Sequence, residues 1–364
     1  MLRIATVVGA RPQFVKAAAV SRELANRENV HETVIHTGQH YDHEMSDIFF
    51  RELNLRPPDH ELRIGAGSHG QQTGRMTEAI ERILLDQKFD FVLVYGDTNS
   101  TLAGALAAAK LHQPVAHVEA GLRSFNKKMP EEINRIVTDH LSAVLFAPTA
   151  AAVSNLEREG IAGVHVKLVG DVMYDVALQV GDKRDRAAAI LKRLNIASEF
   201  VLATIHRPEN TDNYSRLRTI IAALEQIGHD VPVVFPMHPR TTGAIASAGI
   251  EVGKIRGVSV IEPLGYLDMI SLEQSASVIV TDSGGVQKEA FFFGTPCVTL
   301  RQETEWVELI DSGWNRLAPP EHAASIATSV LDALRCELPP ERPHLYGYGN
   351  AAELIASALV EYAN

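Results

Sequence analysis

The sequence predicts a doubly wound α/β protein made of two Rossmann-like domains facing a cleft, and three observations carry that expectation. Apolar β-branched runs alternate with Ala- and Leu-rich segments of helical period, the pattern of βαβ units around a parallel sheet. The series of runs occurs twice, once before about residue 168 and again after it. The runs also stop on polar residues, most tellingly in Val92-Leu93-Val94-Tyr95-Gly96-Asp97 and Val115-Ala116-His117-Val118-Glu119. An open parallel sheet collects ligands outside the carboxyl ends of its strands, so two neighbouring strands that each end in a carboxylate point to chemistry.

The first series of candidate strands is 2–8, 33–37, 91–95, 115–118 and 143–147, and the second is 200–205, 232–236, 258–261, 277–281 and 296–300. At 364 residues and 46% hydrophobic, the chain is long enough for two cores. We expect an N-terminal domain over 1–168 and a C-terminal domain over 169–349. The charge-rich stretch Gly181-Asp182-Lys183-Arg184-Asp185-Arg186 opens the helix before strand 200–205. In the tail 350–364, Ala352, Ile355, Ala356, Leu359 and Val360 share one side of a helix. That helix is expected to pack back on one of the two domains, the first being a candidate, and its periodicity suits either.

Net charge is −11 with no block of Lys or Arg, which argues against a nucleic-acid partner. No stretch reaches the roughly 20 apolar residues of a membrane span, and the first apolar run is too short for a signal peptide. Cys297 and Cys336 lack zinc or disulfide spacing and fit a reducing compartment. A cytoplasmic enzyme without metal is expected.

The loop Gly9-Ala10-Arg11-Pro12-Gln13-Phe14-Val15-Lys16 joins the first strand to a helix started by Pro12. Only Gly9 of the three glycines of a dinucleotide fingerprint is present, so no nicotinamide cofactor is expected; Arg11 and Lys16 suggest contact with an anion. A second anion site is expected where strand 277–281 enters Asp282-Ser283-Gly284-Gly285 and a helix. Backbone N–H groups at Gly284 and Gly285 can approach a diphosphate there, and Glu289 can accept from sugar hydroxyls. His206 and His238 end apolar strands, where an imidazole can meet phosphate. No His or carboxylate pair has a helical ligand spacing, so no metal is assigned. In Met129-Pro130-Glu131-Glu132-Ile133-Asn134-Arg135, Pro130 starts a helix and one of the two glutamates is a third acid, the alternative being a structural Glu131–Arg135 pair at i,i+4. Three acids in one cleft repel, which moves at least one toward the working range of a base.

These residues resemble the non-hydrolysing UDP-N-acetylglucosamine 2-epimerases, whose two-domain fold is of the GT-B type. The resemblance spans nearly the whole chain through Gly9-Ala10-Arg11-Pro12, Thr37-Gly38-Gln39-His40, Gly96-Asp97-Thr98-Asn99-Ser100, His117-Val118-Glu119-Ala120-Gly121-Leu122-Arg123, Pro130 to Arg135, His206-Arg207 and Thr281 to Gly285. By that resemblance Asp97, Glu119 and Glu131 match catalytic acids, and His206 a histidine near the leaving diphosphate. Arg11, Lys16, His238, Ser283, Gly284, Gly285, Glu289 and Arg301 match positions that bind UDP or lie beside it, and Tyr266 to Ile270 a uracil site with Met269 on the base. Gln39, His40 and Arg207 match residues of a second, activating UDP-sugar site. A homodimer and a role in bacterial surface polysaccharide such as O-antigen are likewise implied.

The chemistry explains the residue types. Carbon 2 of the sugar carries a hydrogen that is not next to a carbonyl, so its removal needs either oxidation or loss of a leaving group. Lacking a nicotinamide motif, the chain is expected to eliminate UDP to a glycal and add it back, with one acid/base group on each face of C2. Gln287-Lys288-Glu289 and Thr304-Glu305-Trp306 replace the Gln-Glu-Glu and Thr-Glu-Arg of better-known members. With Phe291-Phe292-Phe293-Gly294, they bring the chain nearest the branch acting on UDP-2,3-diacetamido-2,3-dideoxy-glucuronate. Lys127, Lys128, Lys288 and Arg240 are candidate partners for a uronate carboxylate. The rival readings are a hydrolysing 2-epimerase and a GT-B glycosyltransferase.

Overall fold

The computed structural model describes residues 1–39, 52, 55–196, 199–251, 253, 255–339 and 341–363. The chain divides into two units, Met1–Gln179 with His344–Asn364, and Val180–Pro343.

The first unit is a seven-stranded sheet of β1 (Leu2–Val8), β2 (Val30–His36), β3 (His60–Glu61), β4 (Phe91–Tyr95), β5 (Val115–Val118), β6 (Val144–Ala147) and β7 (Val166–Leu168). Its spatial order is β3-β2-β1-β4-β5-β6-β7, and every pairing is parallel. Strands covered by helices on both faces must be apolar throughout, and Val92, Leu93, Val94 and Tyr95 are fully buried. Ala5, Val7, Val92 and Val94 pack with Met76, Ile80 and Leu84 of helix His69–Asp86 and with Ala103, Ala107 and Ala108 of helix Asn99–Lys110.

The second unit repeats the plan in six parallel strands, β8 (Val201–Thr204), β9 (Val233–Pro236), β10 (Val258–Ile261), β11 (Val278–Thr281), β12 (Cys297–Thr299) and β13 (Asn315–Leu317). Their order is β10-β9-β8-β11-β12-β13. Leu217, Ile220, Leu224 and Ile227 of helix Tyr214–Gly228 and Ile326 and Val330 of helix Ala323–Arg335 build one side of its core.

Both sheets reverse their sequence order once, between β1 and β4 and between β8 and β11. The chains leaving such a pair diverge to opposite faces of the sheet and open a crevice at the carboxyl ends. The loops after β1, β4, β8 and β11 are the ones that carry Gly9, Asp97, His206 and Ser283. No described helix is long and apolar enough to cross a membrane.

Three strands are absent from the sequence expectation: β3, β7 and β13. All are sheet edges of two or three residues, too short for an apolar run to show. The C-terminal helix Ala351–Ala363 packs on helix Arg11–Ala25 of the first unit. Arg27 donates to the Ser357 hydroxyl at 2.8 Å, and the Tyr362 hydroxyl donates to the Val164 carbonyl at 2.9 Å.

Candidate active site

In the first unit the site stands on the carboxyl ends of β1, β4 and β5. A Cβ added to Gly9 would lie 1.9 Å from the Thr37 hydroxyl and 2.3 Å from that of Ser100, so only glycine fits there. The next helix begins at Arg11, whose side chain lies outside the described residues. Ala10 offers no capping side chain, and Gln13 supplies the cap from within the helix. Its amide oxygen accepts from the N–H of Gly9 at 2.9 Å and of Ala10 at 3.0 Å, while its nitrogen donates to the Tyr95 carbonyl at 2.9 Å and the Thr101 hydroxyl at 3.0 Å. One buried amide thus ties the β1 loop to the end of β4.

Lys16, buried in that helix, pairs with the buried carboxylate of Glu119. Glu119 holds a left-handed backbone at φ +75°, uncommon for a residue with a side chain and costly unless its surroundings enforce it. Asp97 pairs with Arg135, and its carbonyl accepts from the Asn134 side chain at 2.9 Å. Arg135 therefore takes Asp97, and also Glu132 at 3.2 Å, in place of the i,i+4 partner Glu131 that the sequence offered. The two adjacent glutamates separate cleanly. Glu132 is buried and accepts from Ser124 N–H at 2.9 Å, the Ser124 hydroxyl at 3.0 Å and Phe125 N–H at 2.8 Å, which makes it the clamp of the loop before the helix. Glu131 is half-buried and forms no hydrogen bond or ion pair with the other described residues. Gln39 accepts from Ser100 N–H at 3.1 Å and the Ser100 hydroxyl at 2.7 Å, capping helix Asn99–Lys110. His40 lies outside the described residues.

Beneath these loops a buried network escaped the sequence reading. His117 Nδ1 lies 2.7 Å from Asp139 Oδ1, and its Nε2 2.8 Å from the Gly96 carbonyl. Asp139 also accepts from Gly121 N–H at 3.1 Å and Arg123 at 2.7 Å, and Arg123 forks onto Glu159 with two bonds of 2.7 Å. Burial alone would raise the Asp139 carboxyl, but bonds and charge from His117 and Arg123 outweigh it and hold it below its usual range.

In the second unit the corresponding buried carboxylate is Asp282, at the end of β11. It accepts from His206 N–H at 3.0 Å, Arg207 N–H at 3.0 Å and the Asn210 amide at 3.0 Å. His206 Nδ1 lies 3.5 Å from the same carboxylate, and the ring sits 5.5 Å from that of His238. His238 Nδ1 accepts from Arg240 N–H at 3.2 Å, capping helix Pro239–Ser247, so a proton on the neutral ring sits on Nε2. Ser283 is the N-cap of helix Gly284–Phe293. A Cβ on Gly284 would come 2.6 Å from Glu305 Oε1, whereas one on Gly285 would meet nothing nearer than 3.8 Å. Packing within the protein therefore explains the first glycine and leaves the second free for other reasons.

Glu289, on the second turn of that helix, is buried, and burial first, then the charges of Glu289 and Glu273, push the nearby Tyr266 hydroxyl well above its ordinary value. Glu273 is fully buried with neither carboxyl oxygen hydrogen-bonded among the described residues; burial first, and Glu289 second, raise it well above a normal carboxyl. Met269 is half-buried against the core beside Ile270. Glu305 gathers two of the expected cations, Arg301 at 2.9 Å and Arg207 at 3.6 Å. Lys288 is buried, its ammonium 4.1 Å from the centre of the Trp306 ring, so the two departures from the common pattern touch each other. Arg240 is taken by Asp212 at 2.9 and 2.8 Å, while Lys127 and Lys128 are exposed. Asp139 is the site residue the sequence reading did not name, while Glu132, Arg135, Asp282 and Glu305 stood in its motifs without the roles they take here.

The geometry has counterparts among known proteins. A family model described as UDP-N-acetylglucosamine 2-epimerase matches residues 22–360. The UDP-2,3-diacetamido-2,3-dideoxy-D-glucuronate 2-epimerase of Pseudomonas aeruginosa is 49% identical over 99% of this chain and all of its own. A UDP-N-acetylglucosamine 2-epimerase of Methanococcus maripaludis is 42% identical over 98% of both. The crystal structure of Methanocaldococcus jannaschii UDP-GlcNAc 2-epimerase in complex with UDP-GlcNAc and UDP superposes with a TM-score of 0.92 at 40% identity, over 99% of this chain and all of that one. The chain belongs to the UDP-N-acetylglucosamine 2-epimerase family and is an isomerase of that type.

Proposed function

We propose that the protein is a non-hydrolysing 2-epimerase whose preferred substrate is UDP-2,3-diacetamido-2,3-dideoxy-glucuronate, with UDP-GlcNAc the poorer one. The observation that carries the reading is the acid set of the first unit: Asp97 held by Arg135, Glu119 held by Lys16, and Glu131 left unengaged on the turn before Arg135. Three carboxylates, two of them held by separate cations, exceed what one acceptor base requires, and they suit a proton that leaves one face of C2 and returns to the other.

A carboxylate takes the C2 proton, the C–H electrons form the C1–C2 double bond, and the C1–O electrons leave with the β-phosphate of UDP. UDP remains bound on the second unit, where the N–H groups of Gly284 and Gly285 and the helix dipole meet the charge that develops on the diphosphate. The open space beside Gly285 supports close approach of that anion to the backbone. His206, oriented by Asp282, supplies a further donor, and Glu289 accepts from sugar hydroxyls. A second carboxyl then protonates C2 from the opposite face as UDP adds back to C1.

The uronate is favoured by the P. aeruginosa relative's substrate and by the Lys288–Trp306 contact, which replaces both members of the common pattern together. Since Arg240 and Lys288 are engaged, the exposed Lys127 and Lys128, just before the helix of Glu131, are the proposed partners of its carboxylate.

Incubation with each UDP-sugar in D2O, followed by proton NMR, tests this. Deuterium is expected at C2 of both epimers without accumulation of UDP, with turnover faster on the uronate and with Asp97→Asn and Glu131→Gln losing on the order of 10²-fold or more. Accumulating UDP and free sugar would make it a hydrolysing enzyme, and a preference for UDP-GlcNAc would overturn the substrate assignment.

A further inference from the structure

His117 has no access to solvent and therefore none to substrate. Its surroundings are nevertheless unusually demanding. The Gly96 carbonyl can only accept, so Nε2 must carry a proton for the 2.8 Å contact to be a bond. Arg123 stands 2.7 Å from Asp139 Oδ2 and its fixed positive charge keeps the carboxyl ionised, so Nδ1, which faces Oδ1, must carry a proton as well. Either neutral tautomer would leave two acceptors face to face in a buried site, a contact without compensation from water. Opposite charges around the ring balance it: His117 and Arg123 against Asp139 and Glu159.

What this network touches are the two strand ends that carry the acids. Gly96, at φ +62°, donates to the Val118 carbonyl at 2.9 Å and accepts from His117, so both ends of the residue before Asp97 are held by β5. Asp139 bonds the residue two before Glu119 and the residue two after it, His117 and Gly121, while the N–H groups of Glu119 and Ala120 both donate to the Phe146 carbonyl at 3.1 and 3.0 Å. The left-handed Glu119 is thus over-determined from both sides. The position a Cβ of Gly96 would occupy lies 3.1 Å from Glu119 Oε2, so the two loops share one surface.

We propose that His117 is a positioning residue, a buried imidazolium that, with Asp139, sets the backbone from which Asp97 and Glu119 reach the sugar. The inference deepens the proposed epimerase site and rests on those acids acting at C2. It acts through geometry, so it bears on kcat while UDP binding, assigned to the second unit, is untouched.

Nitrogen-15 NMR of histidine-labelled enzyme at neutral pH tests the protonation without any turnover. His117, assigned by its loss in His117→Gln, is expected to show protons on both ring nitrogens, and a bare nitrogen would overturn the proposal. In Asp139→Asn one of those protons should disappear. Both variants should lose about 10²-fold in kcat, the scale of an ångström-sized misplacement of reacting groups, with the calorimetric Kd for UDP within about threefold of the parent. Unchanged kcat in a folded variant would overturn the positioning role, and if His117→Gln does not fold, Asp139→Asn and the parent spectrum still decide. A parent spectrum as expected, combined with undiminished C2 exchange in Asp97→Asn, would instead break the epimerase assignment of the acids and leave the imidazolium standing.

Discussion

The C-terminal helix is held to the first unit through Asp175, and its docking should carry that residue's titration. Asp175 lies in helix Val172–Val180 and its carboxyl oxygens accept from the first N–H groups of the returning helix, Ala351 at 3.1 Å and Ala352 at 2.7 Å. Burial raises the carboxyl from 3.8 to about 6, the Asp171 charge adding to it and the bonds from Ala352 and Ala351 opposing it. Between those values the folded chain holds a proton that the unfolded chain has released, so stability falls as pH rises through the window and levels off above it. The interval is about 2.2 pH units, and at about 1.36 kcal/mol per unit it amounts to roughly 3 kcal/mol in all, of which about 2.4 kcal/mol falls between pH 4 and 7 because the unfolded carboxyl is already mostly ionised at pH 4. Asp175 is 3% exposed, so screening by water takes little from that figure. Both tryptophans, Trp306 and Trp314, are in the second unit and their fluorescence is blind to this helix. Hydrogen exchange of amides 351–363, corrected for intrinsic rates, reads it directly in the parent and in Asp175→Asn, which cannot titrate. The parent should lose about 2.4 kcal/mol of protection relative to the variant from pH 4 to 7, and parallel curves would refute the reasoning.

Three further outcomes are expected. Lys16→Met should cost about 3–5 kcal/mol by removing the cation that pairs with the buried Glu119 carboxylate, and denaturant titration of the double variant with Glu119→Gln should recover much of it; additive losses would show that the pair is not coupled. Glu273→Leu should raise stability by about 1–3 kcal/mol, because it removes a buried carboxyl whose oxygens have no hydrogen-bond partner among the described residues. Since the folded chain keeps that proton, the parent loses stability as pH rises above the ordinary carboxyl range, so the Tm gain should grow between pH 4 and 8. Gly9→Ala should cost about 1–3 kcal/mol by overpacking against Thr37 and Ser100, whereas Gly285→Ala should keep its Tm and lose about tenfold in UDP affinity by calorimetry, the equivalent of 1.4 kcal/mol.

The strands that carry the site were legible because a parallel sheet covered on both faces writes continuous apolar runs, as in 91–95 and 278–281. The edges β3, β7 and β13 were not, since a strand of two or three residues with an open side has no such run. The tail's apolar side announced that the helix packs on something, but its partner, helix Arg11–Ala25, is a tertiary fact. The same limit governs the site. Glu131 and Glu132 are the same residue type in the same helical turn, and only the Ser124–Phe125 backbone folding over Glu132 separates the clamp from the unengaged acid.

Asp139 and Asp282 show how one local solution serves two ends. Each is a buried carboxylate that accepts backbone N–H from a strand-end loop, Gly121 for Asp139 and His206 and Arg207 for Asp282, and lies against a histidine in or just after a strand, His117 at 2.7 Å and His206 at 3.5 Å. What differs is exposure: the His117 side chain is fully covered, that of His206 is 39% exposed. A covered imidazole spends both nitrogens on the protein and can only hold backbone in place. An open one can meet a ligand while the carboxylate fixes its orientation. Moving the function of one histidine to the other would therefore require changing what lies above the ring, not the aspartate behind it, and a variant such as Asp282→Asn should disturb the orientation of His206 as Asp139→Asn disturbs His117, with the loss read in UDP affinity in the first case and in kcat alone in the second.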